Sequence, residues 1–245
     1  MTLANRTLLV TGANRGLGKA IVEASLARGA QRVYAGARNP DTLAELVKAA
    51  EGRVVPIQLD VTQPASLERA AAQAQDVDML VNNAGLLASY SVLSATFADI
   101  QRDLDTNFLG LVATTRAFLP ALERAAKSQR PAALVNILSV ASLASVPPIA
   151  MYSASKAAAF SATQALRVEL APKNIRVHGV LAGAIDTDMV KHMEMPKTSP
   201  ADLANNLLEA VAAGQDDIAP DPISQSVVGQ WLRDPKEAER QLGAM

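Results

Sequence analysis

The feature that most constrains this chain is an alternation of short apolar runs with longer helical patterns. The runs fall at residues 7–11, 32–35, 54–59, 79–82, 133–138 and 175–181. They are apolar without alternation, as strands must be when both faces of a parallel sheet are covered. Between them lie helical patterns at 17–28, 42–50, 67–74, about 100–126, and 152–170. This order implies an α/β fold, a doubly wound parallel β-sheet with helices on both faces. No repeat, low-complexity tract or linker divides residues 1–245, so one domain is expected.

Past Thr187 the pattern changes. Residues 188–198 are polar and rich in methionine, and read as a short substrate loop. Ser199, Pro200 and Asp202 then supply an N-cap, a first-turn proline and an early acid for a helix that Gly214 can stop. Residues 218–221 suggest an edge strand, followed by a charged helical segment holding Trp231.

Composition removes several function classes. The chain has no cysteine, which excludes thiol nucleophiles and cysteine zinc sites. A formal charge of −1 gives no footprint for nucleic acid and no polybasic membrane signal. No apolar run is long enough to span a bilayer, and the first residues lack the character of a signal peptide. A cytoplasmic protein is therefore expected, with Asn5-Arg6-Thr7 a coincidental glycosylation pattern.

The first strand runs directly into Gly12-Ala13-Asn14-Arg15-Gly16-Leu17-Gly18. Glycines there allow a tight turn and close approach to a pyrophosphate, whose charge the next helix N-terminus favours. An ATP phosphate loop is excluded, because Ala13 and Ala20 stand where that motif needs Gly and Ser or Thr. At the end of the second strand stand Ala37-Arg38-Asn39, with no acid for ribose hydroxyls. Arg38, with Arg15 from the glycine loop, suits a 2′-phosphate through charge-assisted bonds, so NADP(H) is expected over NAD(H).

With Thr11–Gly18, Leu59-Asp60-Val61, Asn82-Asn83-Ala84-Gly85, Asn107, Ser139 and Tyr152-x-x-x-Lys156 in this order, nearly the whole chain resembles the short-chain dehydrogenase/reductase family. The resemblance implies a Rossmann-type fold and a catalytic set of Asn107, Ser139, Tyr152 and Lys156. It places Asp60 and Val61 at the adenine, Asn82, Ala84 and Gly85 beside the cofactor, and Lys156 on the nicotinamide ribose. Thr187 and the Ile185 backbone would meet the carboxamide. Ala182 replaces the family proline ahead of Gly183, removing a restriction on backbone φ. Tyr152 would transfer the proton, tuned by the Lys156 ammonium at i+4. Ser139 would orient the carbonyl, and Asn107 would support a water relay from Lys156.

The expected reaction is NADPH-dependent reduction of a ketone, aldehyde or quinone. The alternatives are an alcohol dehydrogenase on the same residues and a non-catalytic NADP(H)-binding regulator. Leu86, Leu87, Pro147, Met189 and Met193 are candidate walls of an open pocket, and His192 a candidate substrate contact. Ser153-x-x-Lys156 lacks the companion motifs of penicillin-recognising enzymes, and no Gly-x-Ser-x-Gly elbow is present. No catalytic metal is expected. The family resemblance further implies a homo-tetramer or homo-dimer.

Overall fold

The computed structural model describes residues 2–88 and 90–244. Seven parallel strands form one sheet: β1 (Thr7–Thr11), β2 (Arg32–Ala37), β3 (Val54–Gln58), β4 (Met79–Asn82), β5 (Ala132–Ile137), β6 (Ile175–Val180) and β7 (Asp217–Ile218). Their spatial order is β3-β2-β1-β4-β5-β6-β7, so the chain reverses direction across the sheet between β1 and β4. That reversal opens a crevice at the C-terminal ends of the strands, where this architecture binds ligands.

The helices are α1 (Gly16–Ala27), α2 (Ala44–Ala49), α3 (Pro64–Gln73), α4 (Phe97–Leu104), α5 (Gly110–Lys127), α6 (Ala150–Leu170), α7 (Pro200–Ala213), α8 (Pro222–Arg233) and α9 (Pro235–Gly243). Side-chain alternation sorts the strands between two cores. Leu8, Val10, Val33, Met79, Val81 and Val135 pack with Ile21 of α1 and Leu203 and Leu207 of α7. Leu9, Leu80 and Leu134 pack on the opposite face with Leu67 of α3 and Phe118 and Leu122 of α5. Both faces are buried, which is why the strands read as unbroken apolar runs.

The differences from the sequence reading have local causes. The helix expected at 42–50 begins as a 3₁₀ turn, Pro40–Leu43, capped by Asn39 Oδ1 accepting from the Asp41 amide at 3.1 Å. The long helical stretch near 100–126 is two helices joined through a π turn, Asp105–Leu109. The expected edge strand is cut to two residues because Asp221 leaves the sheet to cap α8, accepting from the Ser224 amide at 2.9 Å. Ser199 and Gly214 bound α7 as the sequence implies, with Gly214 at φ +78°. Far from the crevice, Asp78 is buried between Arg6, at 2.8 Å, and Arg130, tying together the starts of the central strands.

Gly18 fixes how closely α1 lies on the sheet. A Cβ there would sit 2.2 Å from the Gly12 carbonyl oxygen and 2.6 Å from Asn83 Nδ2. Gly18→Ala is therefore expected to lower the unfolding free energy by about 3 kcal/mol, measured by denaturant titration.

Candidate active site

Site construction starts at the crevice between β1 and β4. Thr11 Oγ1 accepts from the backbone amides of Asn83 and Ala84, both at 2.9 Å. Asn83 Nδ2 in turn donates to the carbonyls of Thr11 and Gly12 at 2.8 and 3.2 Å. The two strand ends are thereby locked together under the glycine turn. Gly12 takes φ +64°, in the left-handed region that favours glycine. The α1 N-terminus follows, with no side-chain cap on its first turn. Its free N–H groups and positive dipole end suit a phosphate.

A cavity of about 960 Å³ extends from this turn. Gly12, Asn14, Arg15, Gly16, Leu17, Gly18, Arg38, Asp60, Val61, Ala84 and Gly85 line it, as do Gly183, Ile185, Thr187, Ser139, Tyr152 and Lys156. The structure thus brings together nearly every residue singled out in the sequence. Asn82 is one exception. As the last residue of β4 it points into the helix layer, donating to Thr115 Oγ1 at 3.0 Å and Asn136 Oδ1 at 2.9 Å. Its neighbour Asn83 lines the cavity instead, a residue the motif named but the sequence reading passed over.

Asn107 also stands behind the cavity wall. It exchanges two hydrogen bonds with the Leu86 backbone at 2.9 and 2.8 Å and donates to Ser155 Oγ at 2.9 Å. Ser155 Oγ donates to the Tyr152 carbonyl at 2.7 Å, so Asn107 braces the turn that carries Tyr152. Among the described residues it makes no direct hydrogen bond to Lys156.

Ser139 follows β5 and caps the short turn Val140–Ser142, accepting from the Ala141 amide at 3.2 Å. Ser142 Oγ is occupied by the Ser139 amide at 3.3 Å, and neither Ser142 nor Ser145 lines this cavity. Tyr152 lies in the first turn of α6, buried, with Lys156 one turn on and its Nζ 5.8 Å from the Tyr152 ring centre. The Lys156 ammonium donates to the Ile137 carbonyl at 2.8 Å. Burial pushes Lys156 down to about 8. It pushes Tyr152 up to about 12, against the Ser139 hydroxyl and with help from the charge of Asp103. Spacing alone suggested that Lys156 would depress the phenol. Burial is the largest influence on the phenol in this structure.

At the ribose end the two arginines part company. Arg38 is exposed at the end of β2, and its guanidinium has no ion-pair partner among the described residues. Arg15 instead forms an exposed pair with Asp188 at 3.4 Å, a contact that solvent weakens. Asp60 Oδ1 accepts from the Thr62 amide and hydroxyl at 3.0 and 2.8 Å. The Ala182-Gly183 turn is held despite the missing proline: the Val140 amide donates to the Ala182 carbonyl at 3.0 Å, and the Gly183 amide to Asp221 Oδ2 at 2.9 Å.

The loop at 188–198 leaves and returns at one point. The Asp186 amide donates to the Thr198 carbonyl, and the Thr198 amide to the Ala184 carbonyl, both at 2.9 Å. Met189, Val190, Met193 and Met195 line the cavity from this loop, with Leu86 and Leu87 opposite. His192 is exposed and does not line the cavity, and Pro148 takes the place expected for Pro147. Ile223 and Val227 of α8 and Leu242 of α9 complete the wall. The i,i+4 spacing of Ile223 and Val227 was the signal that could have found them. No group of three or more potential metal ligands occurs among the described residues, and none of the described helices is long and apolar enough to cross a membrane.

A glycine turn against an uncapped helix, opening at a strand-order reversal onto a buried Tyr–Lys pair, defines a dinucleotide-binding oxidoreductase. The comparisons give the family. A family model described as short chain dehydrogenase matches residues 6–197, and the chain belongs to the short-chain dehydrogenase/reductase family. Ketoacyl reductase HetN of Nostoc sp. is 34% identical over 224 residues, covering 86% of this chain and 76% of that one. A 3-oxoacyl-[acyl-carrier-protein] reductase of Synechocystis sp. is 30% identical, over 93% and 94% of the two chains. Among solved structures, a short chain dehydrogenase from Burkholderia cenocepacia in complex with NADP is 35% identical. It covers 99% of each chain with a TM-score of 0.91.

Burying the Lys156 ammonium costs the fold stability. The Lys156 cost is full below pH 8 and fades as pH rises from about 8 toward the usual value of 10.5. Lys156→Met is expected to be more stable than the parent at pH 7 by about 1–3 kcal/mol, with the advantage shrinking above pH 8. Thermal unfolding at several pH values measures it.

Proposed function

We propose that the protein is an NADPH-dependent carbonyl reductase, and the observation that carries this reading is the buried Tyr152 set with Ser139 and Lys156 on the wall of the dinucleotide cavity. The residues fit the cofactor. Gly12 and Gly18 let the turn and α1 lie directly against Asn83 and Ala84, where a Cβ would collide, and the uncapped start of α1 would meet the pyrophosphate. Arg38 holds the 2′-phosphate, with Arg15 exchanging Asp188 for it. Asp60 and Val61 flank the adenine, Lys156 takes the nicotinamide ribose, and Thr187 with Ile185 takes the carboxamide. The NADP complex of the Burkholderia cenocepacia relative supports that cofactor choice.

Bound NADPH supplies the hydride. Ser139 Oγ holds the substrate oxygen so that the carbonyl carbon faces the nicotinamide, and steadies negative charge as it develops. Tyr152 Oη gives its proton to that oxygen. Lys156 stands one turn behind to stabilise the phenolate left on the enzyme. Asn107, through Ser155, fixes the turn from which Tyr152 projects.

The substrate class is a carbonyl on a bulky apolar body, for which Leu86, Leu87, Ile149, Met189 and Leu242 provide the wall. The relatives named as ketoacyl reductases support that direction of reaction. Exposed Phe97 on α4 and Val168 on α6 support self-association through these two helices.

A carbonyl panel run with NADPH and NADH in parallel tests the reading. Tyr152→Phe is expected to lower kcat by roughly 10²–10⁴-fold while NADPH still binds, and undiminished turnover would refute the assignment. Arg38→Ala is expected to cut the preference for NADPH over NADH by about tenfold to a hundredfold, read from kcat/KM with each cofactor.

A further inference from the structure

The proposed reaction leaves one buried acid without a task. Asp103, on α4, is 1% exposed, and its carboxyl oxygens have no side-chain partner among the described residues, the Ala88 backbone amide being the donor that faces them. Burying a carboxylate without a side-chain partner is costly, so its position calls for an explanation.

Asp103 lies four residues before Asn107 and so on the same helical face. Asn107 bonds Ser155 of α6 at 2.9 Å, and Ser155 bonds the Tyr152 carbonyl. Helix α4 packs against α6, and the charge of Asp103 reaches the Tyr152 phenol. The other charged groups nearby are Asp99 and Arg102 on α4, Asp105 in the π turn, and Lys156 on α6. Lys156 is drawn away to the Ile137 carbonyl. The chain after β4 contributes the Ala88 amide. Burial pushes the carboxyl up to about 6, against that amide and Arg102, with Asp99 adding to the rise. It is therefore ionised at neutral pH and above.

We propose that Asp103 is a positioning residue for the proton step: its carboxylate opposes ionisation of the Tyr152 phenol and so favours carbonyl reduction over alcohol oxidation. The inference rests on the carbonyl-reductase reading. In reduction, hydride from NADPH forms the new C–H bond, the carbonyl π bond breaks, and the Tyr152 proton forms the O–H bond. NADPH is oxidised, and Asp103 neither gains nor loses a proton in the balance. In the reverse direction a phenolate must already be present, and the Asp103 charge makes that state harder to reach.

The test compares the intact enzyme with Asp103→Asn and Asp103→Leu, both neutral at this position, and with Asp103→Glu, which keeps the charge. In the neutral variants the alkaline limb of reduction and the ionisation that switches on oxidation are both expected to move down by roughly half to one pH unit. Asp103→Glu is expected to stay with the parent. Ring-carbon NMR of the three tyrosines in the NADP⁺-bound protein, with Tyr152 assigned through Tyr152→Phe, is expected to show the same downward move. That measurement needs no turnover, so a failed carbonyl panel and a failed role for Asp103 give different results. A Tyr152 ionisation that stays put or moves up in the neutral variants overturns the proposal.

Discussion

Everything at the crevice depends on the interlock between Thr11 and Asn83. One hydroxyl receives two amides, and one side-chain amide returns two hydrogen bonds to the facing strand end. The β1 and β4 ends diverge where the strand order reverses, so past Val10 and Val81 they no longer pair with each other. Side-chain bonds take over there, and buried backbone polar groups are satisfied without closing the crevice. The glycine turn can then lie directly on the β4 end, with α1 packed so closely that only glycine fits at position 18.

Behind the interlock the protein spends polar groups where an apolar core would be simpler. Asn82 bonds Thr115 and Asn136, and Asn136 bonds Thr163 at 2.9 Å, joining the sheet to α5 and α6. Asn107 and Ser155 extend the same principle to the Tyr152 turn. Directional bonds fix helix rotation about its axis in a way that apolar contacts do not. The side chains at the cavity thus inherit their orientation from a scaffold that holds them by rotation as well as by distance.

Much of this was legible in the sequence. Apolar runs without alternation gave the parallel strands, and glycine spacing gave the turn, because both are dictated by local geometry. The ordered motifs placed Ser139, Tyr152 and Lys156 on one cavity. Three things were not legible, each for a physical reason. Which of two adjacent asparagines faces the cavity depends on strand pleat, and Asn83 rather than Asn82 is there. How strongly burial acts on the Tyr152 phenol depends on dielectric, which spacing does not carry. The contribution of Ile223, Val227 and Leu242 depends on where the C-terminal helices dock, a long-range matter.

The bridge between Ile185 and Thr198 has a consequence for how such a chain can change. Because the loop starts and ends at one pinned junction, its interior can vary in length and composition while the strand end on one side and α7 on the other keep their places. Loop closure entropy rises slowly with length, so insertions there are thermodynamically cheap. The cavity wall that these residues form can drift while Ser139, Tyr152 and Lys156 stay still. The outer wall of the cavity and its buried polar centre are, in this protein, separately heritable.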